Sequence, residues 1–94
     1  MRVIISPIAQ DTILEVAEFV EGINTAGAGD RWTDKILDFI ASYAQPKAKY
    51  SLCRDKDLRK KLLSCVAYKN WVIAFKIEDD IFFVHQIIYG PILQ

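Results

Sequence analysis

Seven basic residues fall within fifteen consecutive positions and form the densest group in this chain that could bind a charged ligand. They are Lys47, Lys49, Arg54, Lys56, Arg59, Lys60 and Lys61. Clustered cations neutralise phosphates and release the counterions that surround a nucleic acid, although a solvated loop can have the same composition. We take Arg54, Arg59, Lys60 and Lys61 as the predicted target contacts, on either a nucleic acid or an acidic protein surface.

The single histidine and the two cysteines are further candidates for catalysis or metal binding. A histidine takes up a proton near neutral pH, which suits a general base. His85, however, lies among apolar residues of a predicted strand and has no nucleophile at a suitable spacing, so a packed or edge-strand histidine is favoured. Cys53 and Cys65 are twelve residues apart, without the paired spacing of a zinc site. We predict free structural thiols in a reducing cytosol, with no metal and no cofactor.

The glycines and the aromatic residues have structural explanations. Gly22, Gly27 and Gly29 do not follow a strand or show the spacing of a phosphate-binding loop, so we predict that they form turns. Aromatic side chains can stack on the bases of a nucleic acid, but a sheet covered by helices needs such residues for its core. We expect most of the following to be core residues: Tyr68, Trp71, Phe75, Phe82 and Phe83.

Length and charge limit the function further. The 94 residues predict a single domain over positions 1–94, and 12 basic residues balance 12 acidic ones. The net charge therefore gives no electrostatic argument for a nucleic-acid or membrane partner. The apolar run at residues 3–5 is too short for a secretory signal, and the later apolar runs are too short to cross a membrane. We expect a cytoplasmic protein.

The spacing of apolar residues predicts six elements. Residues 2–5 form a strand, and a first helix begins with Ser6 as its cap and Pro7 at the first helical position. Its apolar face is Ala9, Ile13, Val16, Ala17, Val20 and Ile23. After a glycine-rich connection a second helix runs to residues 45–46, and three strands follow, near 62–68, 68–77 and 81–88. The fold class is α+β, in the order β-α-α-β-β-β, with an antiparallel sheet packed on an N-terminal helical hairpin.

The closing hairpin has two distinct faces. Its first strand alternates so that one face, Trp71, Ile73, Phe75 and Ile77, must be covered. We expect three of these to be buried together with residues of the second helix, as a core of Trp32, Ile36, Ile40, Trp71, Ile73 and Phe75. On the opposite face, Val72 and Ala74 should join Leu63 and Cys65 of the preceding strand in an exposed apolar patch.

The whole arrangement resembles the RelE/ParE superfamily of small bacterial toxins. Four segments carry the resemblance: Ile4-Ile5-Ser6-Pro7 with Ala9, Trp32 to Leu37 with Tyr43 and Pro46, the basic connection Tyr50 to Leu58, and the closing hairpin Tyr68 to Gly90. The resemblance implies the toxin of a type II toxin–antitoxin pair, encoded beside its antitoxin and acting in plasmid stabilisation. It also implies a cognate antitoxin as partner, in a complex that could contain a toxin homodimer or be a heterotetramer.

Two activities occur in this superfamily, and the residues favour one of them. RelE-like members cleave mRNA on the ribosome with cationic residues on the open sheet face. Here the aligned positions are Leu63, Cys65 and Val72, and apolar residues follow Gly90. ParE-like members inhibit DNA gyrase without a known catalytic constellation, and the long helical hairpin fits them better, although Tyr89 replaces their final histidine.

Alternative interpretations stay open at the level of sequence. One is an mRNA endoribonuclease that uses the cluster from Arg54 to Lys61, and another is a degenerate toxin that acts only as an antitoxin-binding module. Enzymatic activity is therefore uncertain, and no catalytic residue is assigned. For the antitoxin, which should cover exposed apolar surface by folding on binding, the predicted contacts are Leu63, Cys65, Val72 and Ala74.

Overall fold

A strand, a helical hairpin and a three-stranded meander follow one another in the chain. The computed structural model describes residues 1–93, with side chains described through residue 91. The elements are β1 (Arg2–Ile5), α1 (Pro7–Ile23), α2 (Ala28–Tyr43), α3 (Lys56–Lys60), β2 (Ser64–Tyr68), β3 (Trp71–Glu78), β4 (Ile81–Tyr89) and a 3-10 turn (Gly90–Leu93). The predicted order is confirmed, with α3 as a short additional helix among the clustered basic residues.

The four strands form one mixed sheet in the order β1-β4-β3-β2. Strands β2, β3 and β4 pair antiparallel, whereas β1 pairs parallel to β4. The α+β class is confirmed, and the predicted antiparallel pairing holds for three strands. A parallel pair needs a long connection, and the chain between β1 and β4 supplies one.

The β3–β4 hairpin turns through two acidic residues. Asp79 and Asp80 have φ angles of +48° and +63°. Positive φ at both central residues is the type I′ arrangement, whose twist matches that of the flanking strands, and aspartate tolerates this conformation better than most residues. The pairing of Ala74 with Gln86 is followed by Phe75 with Val84, so His85 is the extra residue of a β-bulge.

The start of α1 is joined to β4 through one serine. The hydroxyl oxygen of Ser6 accepts from the Ala9 N–H at 3.1 Å, and the hydroxyl donates to the His85 carbonyl at 2.6 Å. The predicted cap is therefore confirmed, and it also fixes the helix against the sheet. Ala9 and Ile13 are buried as predicted, but Ile23 is 64% exposed, so its assignment to the buried face was wrong.

Glycine and glutamate residues shape the turn between the two helices. Gly27 has a φ of +85°, which confirms its turn role. Gly29 instead lies within α2, where an added Cβ would lie 2.5 Å from the Ala17 carbonyl oxygen, so its role is close packing of the helices. The Glu21 carboxylate accepts from the Gly29 and Gly27 N–H groups at 2.9 and 2.8 Å, and these two bonds lower its pKa. Gly22 lies inside α1, so the predicted break there was wrong.

The main core lies between the helical hairpin and the sheet. Its buried members are Ala9, Ile13, Ile36, Ile40, Ile73, Phe75, Phe82, Val84 and Ile87. The predicted core is confirmed for Ile36, Ile40, Ile73 and Phe75, whereas the two tryptophans are only half-buried at its edge. Tryptophan is large and has an N–H group to satisfy, so partial burial is its usual state.

Candidate functional site

A second core lies on the sheet face opposite the main core. It consists of Cys53, Leu58, Leu63 and Ala74, with Leu58 supplied by α3. Leu63 is 2% exposed and Ala74 is fully buried. The predicted exposed patch is therefore wrong for these two residues, because α3 folds over the face that the sequence left open.

The two cysteines form a disulfide, so the prediction of free thiols was wrong. The Cys53 N–H donates to the Leu63 carbonyl at 2.8 Å, and Leu52 pairs with Ser64 in an isolated bridge. This short ladder brings the Cα atoms of Cys53 and Cys65 to 4.9 Å, within the usual range for a disulfide. The spacing of twelve residues does not reveal the pair, because the chain reversal that joins them depends on α3.

The short helix α3 carries the predicted target contacts. Asp55 caps it by accepting from the Leu58 N–H at 3.1 Å, and the Arg59 Nε donates to the Cys53 carbonyl at 3.0 Å. The side chains of Arg54, Arg59, Lys60 and Lys61 are all exposed, within one loop that is closed by the disulfide. All four predicted cations are therefore exposed within residues 54–61, which we call the basic segment.

A cleft of about 500 Å³ lies beside the basic segment, between residues 50–55 and the strands β2 and β3. Leu52, Arg54, Cys65 and Val72 are among the residues that line it. Of the four predicted antitoxin contacts, Cys65 and Val72 are thus partly accessible, whereas Leu63 and Ala74 are buried in the second core. An apolar wall with an arginine at its side can hold an extended peptide or a small anionic group.

The histidine lies at the bulge of β4 and has no partner that would indicate catalysis. Its Nδ1 is buried, and among the described residues no group is hydrogen-bonded to that atom. Ser6 contacts the backbone carbonyl of His85 and not its ring. The ring lies edge-on to Phe83, with centroids 6.3 Å apart, as the packed interpretation predicts.

The aromatic residues divide between the core and its margin. Phe75 and Phe82 stack inside the main core with centroids 4.5 Å apart. Tyr68 and Trp71 are half-buried against the same core, and Phe83 is half-buried on the opposite face. Their side chains contribute to packing as expected, so no exposed aromatic row is available for stacking bases within residues 68–83.

Sequence reasoning missed an exposed apolar stripe on α1. Ile8, Phe19 and Ile23 are each more than 60% exposed, and their spacing places them along one side of the helix. Glu15 lies within this stripe. The stripe could have been found from the sequence, because Ile8 and Phe19 are apolar but fall outside the helical face that packs on the sheet.

The described residues do not form a metal-binding cluster or a membrane-spanning helix. Within residues 1–93, no three His, Cys, Asp or Glu side chains are grouped so that they could hold a metal ion. The helices in that part of the chain are too short or too polar to span a membrane.

Comparison with known proteins gives one family. A family model described as the ParE toxin of the type II toxin–antitoxin system parDE matches residues 3–89, which includes both long helices, β2 to β4 and all of β1 except Arg2. The search of curated proteins found no match.

Proposed function

Because the chain belongs to the ParE toxin family of type II toxin–antitoxin systems, we propose that it inhibits DNA gyrase and is neutralised by a cognate antitoxin. As part of the same proposal it acts in the cytoplasm, where this target works on DNA. Membership of the family indicates a type II toxin and implies an antitoxin partner. The choice of gyrase as target is part of our proposal, and features of the chain's surface support it.

The observation that carries the choice of target is the state of the sheet face that RelE-like enzymes use. Where those enzymes hold cations, this chain has a buried leucine at 63, a disulfide-bonded cysteine at 65 and a valine at 72. Cleaving RNA requires groups that stabilise the charge on the reacting phosphate. Apolar and disulfide-bonded side chains cannot do this, which supports inhibition by binding over cleavage.

The basic segment is the surface that we propose for the target. It concentrates five exposed cations on a molecule with no net charge: Lys56 and the four predicted contacts Arg54, Arg59, Lys60 and Lys61. Such a patch steers association with an acidic partner and gives specificity more than raw affinity. α3 and the disulfide hold the segment on the sheet, so its charges are presented in one arrangement.

The proposal is tested with purified gyrase and a relaxed plasmid. A variant with glutamine at 54, 59, 60 and 61 should lose inhibition of supercoiling while keeping the wild-type melting temperature. The matched control places glutamine at four exposed lysines elsewhere, Lys35, Lys47, Lys49 and Lys69, and should inhibit like the wild type. Full inhibition by the folded test variant would exclude the basic segment as the gyrase contact. If cells that express the wild type kept normal DNA supercoiling but showed cleaved mRNA, the proposed target would change from gyrase to the ribosome.

For the antitoxin we propose the cleft, through Cys65 and Val72, with Leu63 and Ala74 belonging to the second core on which Cys65 packs. A charge placed at the partly exposed Val72 would remain unpaired under a bound partner, so Val72→Arg should weaken the complex at least tenfold. Phe19→Arg makes the same change in the exposed stripe of α1. Titration calorimetry with the cognate antitoxin compares the two variants. Weaker binding only for Phe19→Arg would move the docking surface from the cleft to the helical hairpin.

A further inference from the structure

The disulfide joins the two ends of the loop that contains the basic segment. Cys53 precedes this segment, Cys65 lies in β2, and α3 lies between them. We propose that Cys53–Cys65 is a reversible redox site, which a dithiol reductant opens through the cleft. Opening it releases α3 and the basic segment from the sheet, while the main core stays folded.

The two sulfurs differ in access. Both cysteines line the cleft, but Cys53 is 2% exposed and belongs to the second core beneath α3, whereas Cys65 is partly exposed. A thiolate therefore reaches Cys65 first. Arg54 lines the same cleft, and its positive charge favours the approach of the thiolate anion.

The exchange is a two-electron transfer from the dithiol to the disulfide. The first thiolate of the reductant attacks Sγ of Cys65, which forms a mixed disulfide and expels the Cys53 thiolate. The second thiolate of the reductant then attacks the reductant's own sulfur in that mixed disulfide and expels the Cys65 thiolate. The products are the cyclic disulfide of the reductant and two cysteine thiols, which take up the two protons that the dithiol gave up.

The release is local because little else holds the basic segment in place. α3 has only five residues, and a helix of that length does not persist without tertiary contacts. Among the described residues, its remaining anchors are the small second core, the bond from the Cys53 N–H to the Leu63 carbonyl, the bond from the Arg59 Nε to the Cys53 carbonyl and the bridge between Leu52 and Ser64. The main core lies on the other face of the sheet and shares no buried residue with the second core. Opening of one such unit without global unfolding is a common property of small domains.

A functional consequence follows, and this step rests on the function proposed above. In the oxidised protein the four cations are fixed in one arrangement before the target binds. In the reduced protein these cations must be ordered during binding, and the entropy lost in ordering them weakens binding to the target. We expect that the reduced protein inhibits gyrase to the same extent only at a concentration about tenfold higher.

The test uses the full chain equilibrated in reduced or oxidised dithiothreitol. Mass spectrometry after thiol labelling counts the free thiols, and hydrogen exchange follows each element. Reduction should occur without denaturant and should speed exchange at least tenfold in residues 54–63, with α1 and α2 unchanged. Oxidised dithiothreitol should restore the protection. A Cys53→Ser, Cys65→Ser double variant should match the reduced protein whether or not dithiothreitol is present.

Three results would overturn the inference. The disulfide could resist dithiothreitol until the protein is denatured, reduction could speed exchange equally in α1 and α2, or residues 54–63 could stay protected after reduction. Equal inhibition of gyrase by both forms would remove the functional consequence. Inhibition by neither form would instead refute the proposed function, and the exchange data would still decide on the redox site without any variant.

Discussion

Phe75 offers the most direct test of how the sheet packs on the helices. Its side chain is 1% exposed in the main core, stacked on Phe82 at 4.5 Å and edge-on to Tyr50 at 5.4 Å. Phe75→Ala removes the ring and leaves a cavity that its neighbours cannot fill completely, which costs about 3–5 kcal/mol. That is a large part of the roughly 5–15 kcal/mol by which a natural domain is stable.

Urea denaturation monitored by tryptophan fluorescence measures this loss, because Trp32 and Trp71 both pack against the main core. The urea concentration at the midpoint of unfolding should fall. The slope of the unfolding free energy against urea concentration should stay the same, since the surface area exposed on unfolding does not change. The control is Phe19→Ala, which removes the same ring from a position 66% exposed on α1 and should change stability by no more than about 0.5 kcal/mol. A loss below about 1 kcal/mol for Phe75→Ala would refute the assignment of this β3 face to the core.

Two further changes probe the helical hairpin. Gly29→Ala should destabilise the protein by about 1–3 kcal/mol in urea denaturation, because the new Cβ meets the Ala17 carbonyl oxygen, whereas Gly22→Ala, with open space around it, should be neutral or stabilising. A neutral Gly29→Ala would contradict the close helix contact. The bonds from Gly29 and Gly27 lower the Glu21 pKa, so their stabilisation is present above the ordinary glutamate pKa and is lost as the pH falls below it. Glu21→Gln should therefore be less stable than wild type at pH 7, and this difference in unfolding free energy should narrow towards pH 3. A difference that does not depend on pH, or the same difference in the control Glu18→Gln, would contradict the role of the carboxylate.

The sequence predicted the parts of the fold that local signals specify. The cap at Ser6 and the alternation along β3 depend on neighbours within a few positions, and the structure confirms them. The prediction of the buried face of α1 was right at Ala9 and Ile13, because burial against the sheet requires apolar residues at the helical period.

The candidate site was only partly predictable, since its geometry depends on contacts between distant residues. Grouping the basic residues needed only their order, and the structure places them together. The second core and the disulfide depend on the chain turning back so that Cys53 pairs with Leu63, which has no periodic signal. The role of Gly29 was missed for the same reason, because the atom that requires a glycine belongs to α1.

The parallel pairing of β1 with β4 determines when folding can be completed. Arg2 pairs with Ile81, and the Arg2 N–H donates to the Asp80 carbonyl, so the first strand takes its place beside the last one. Such pairing between the two ends of a chain has a high contact order and slows folding. At roughly 5–20 residues per second the ribosome needs several seconds to add the residues between β1 and β4, and β1 lacks its neighbour during that time. Chains truncated before Ile81 should be digested quickly by protease while the full chain resists. A cell would thus have an interval, during every round of translation, in which the nascent protein cannot yet adopt its mature shape.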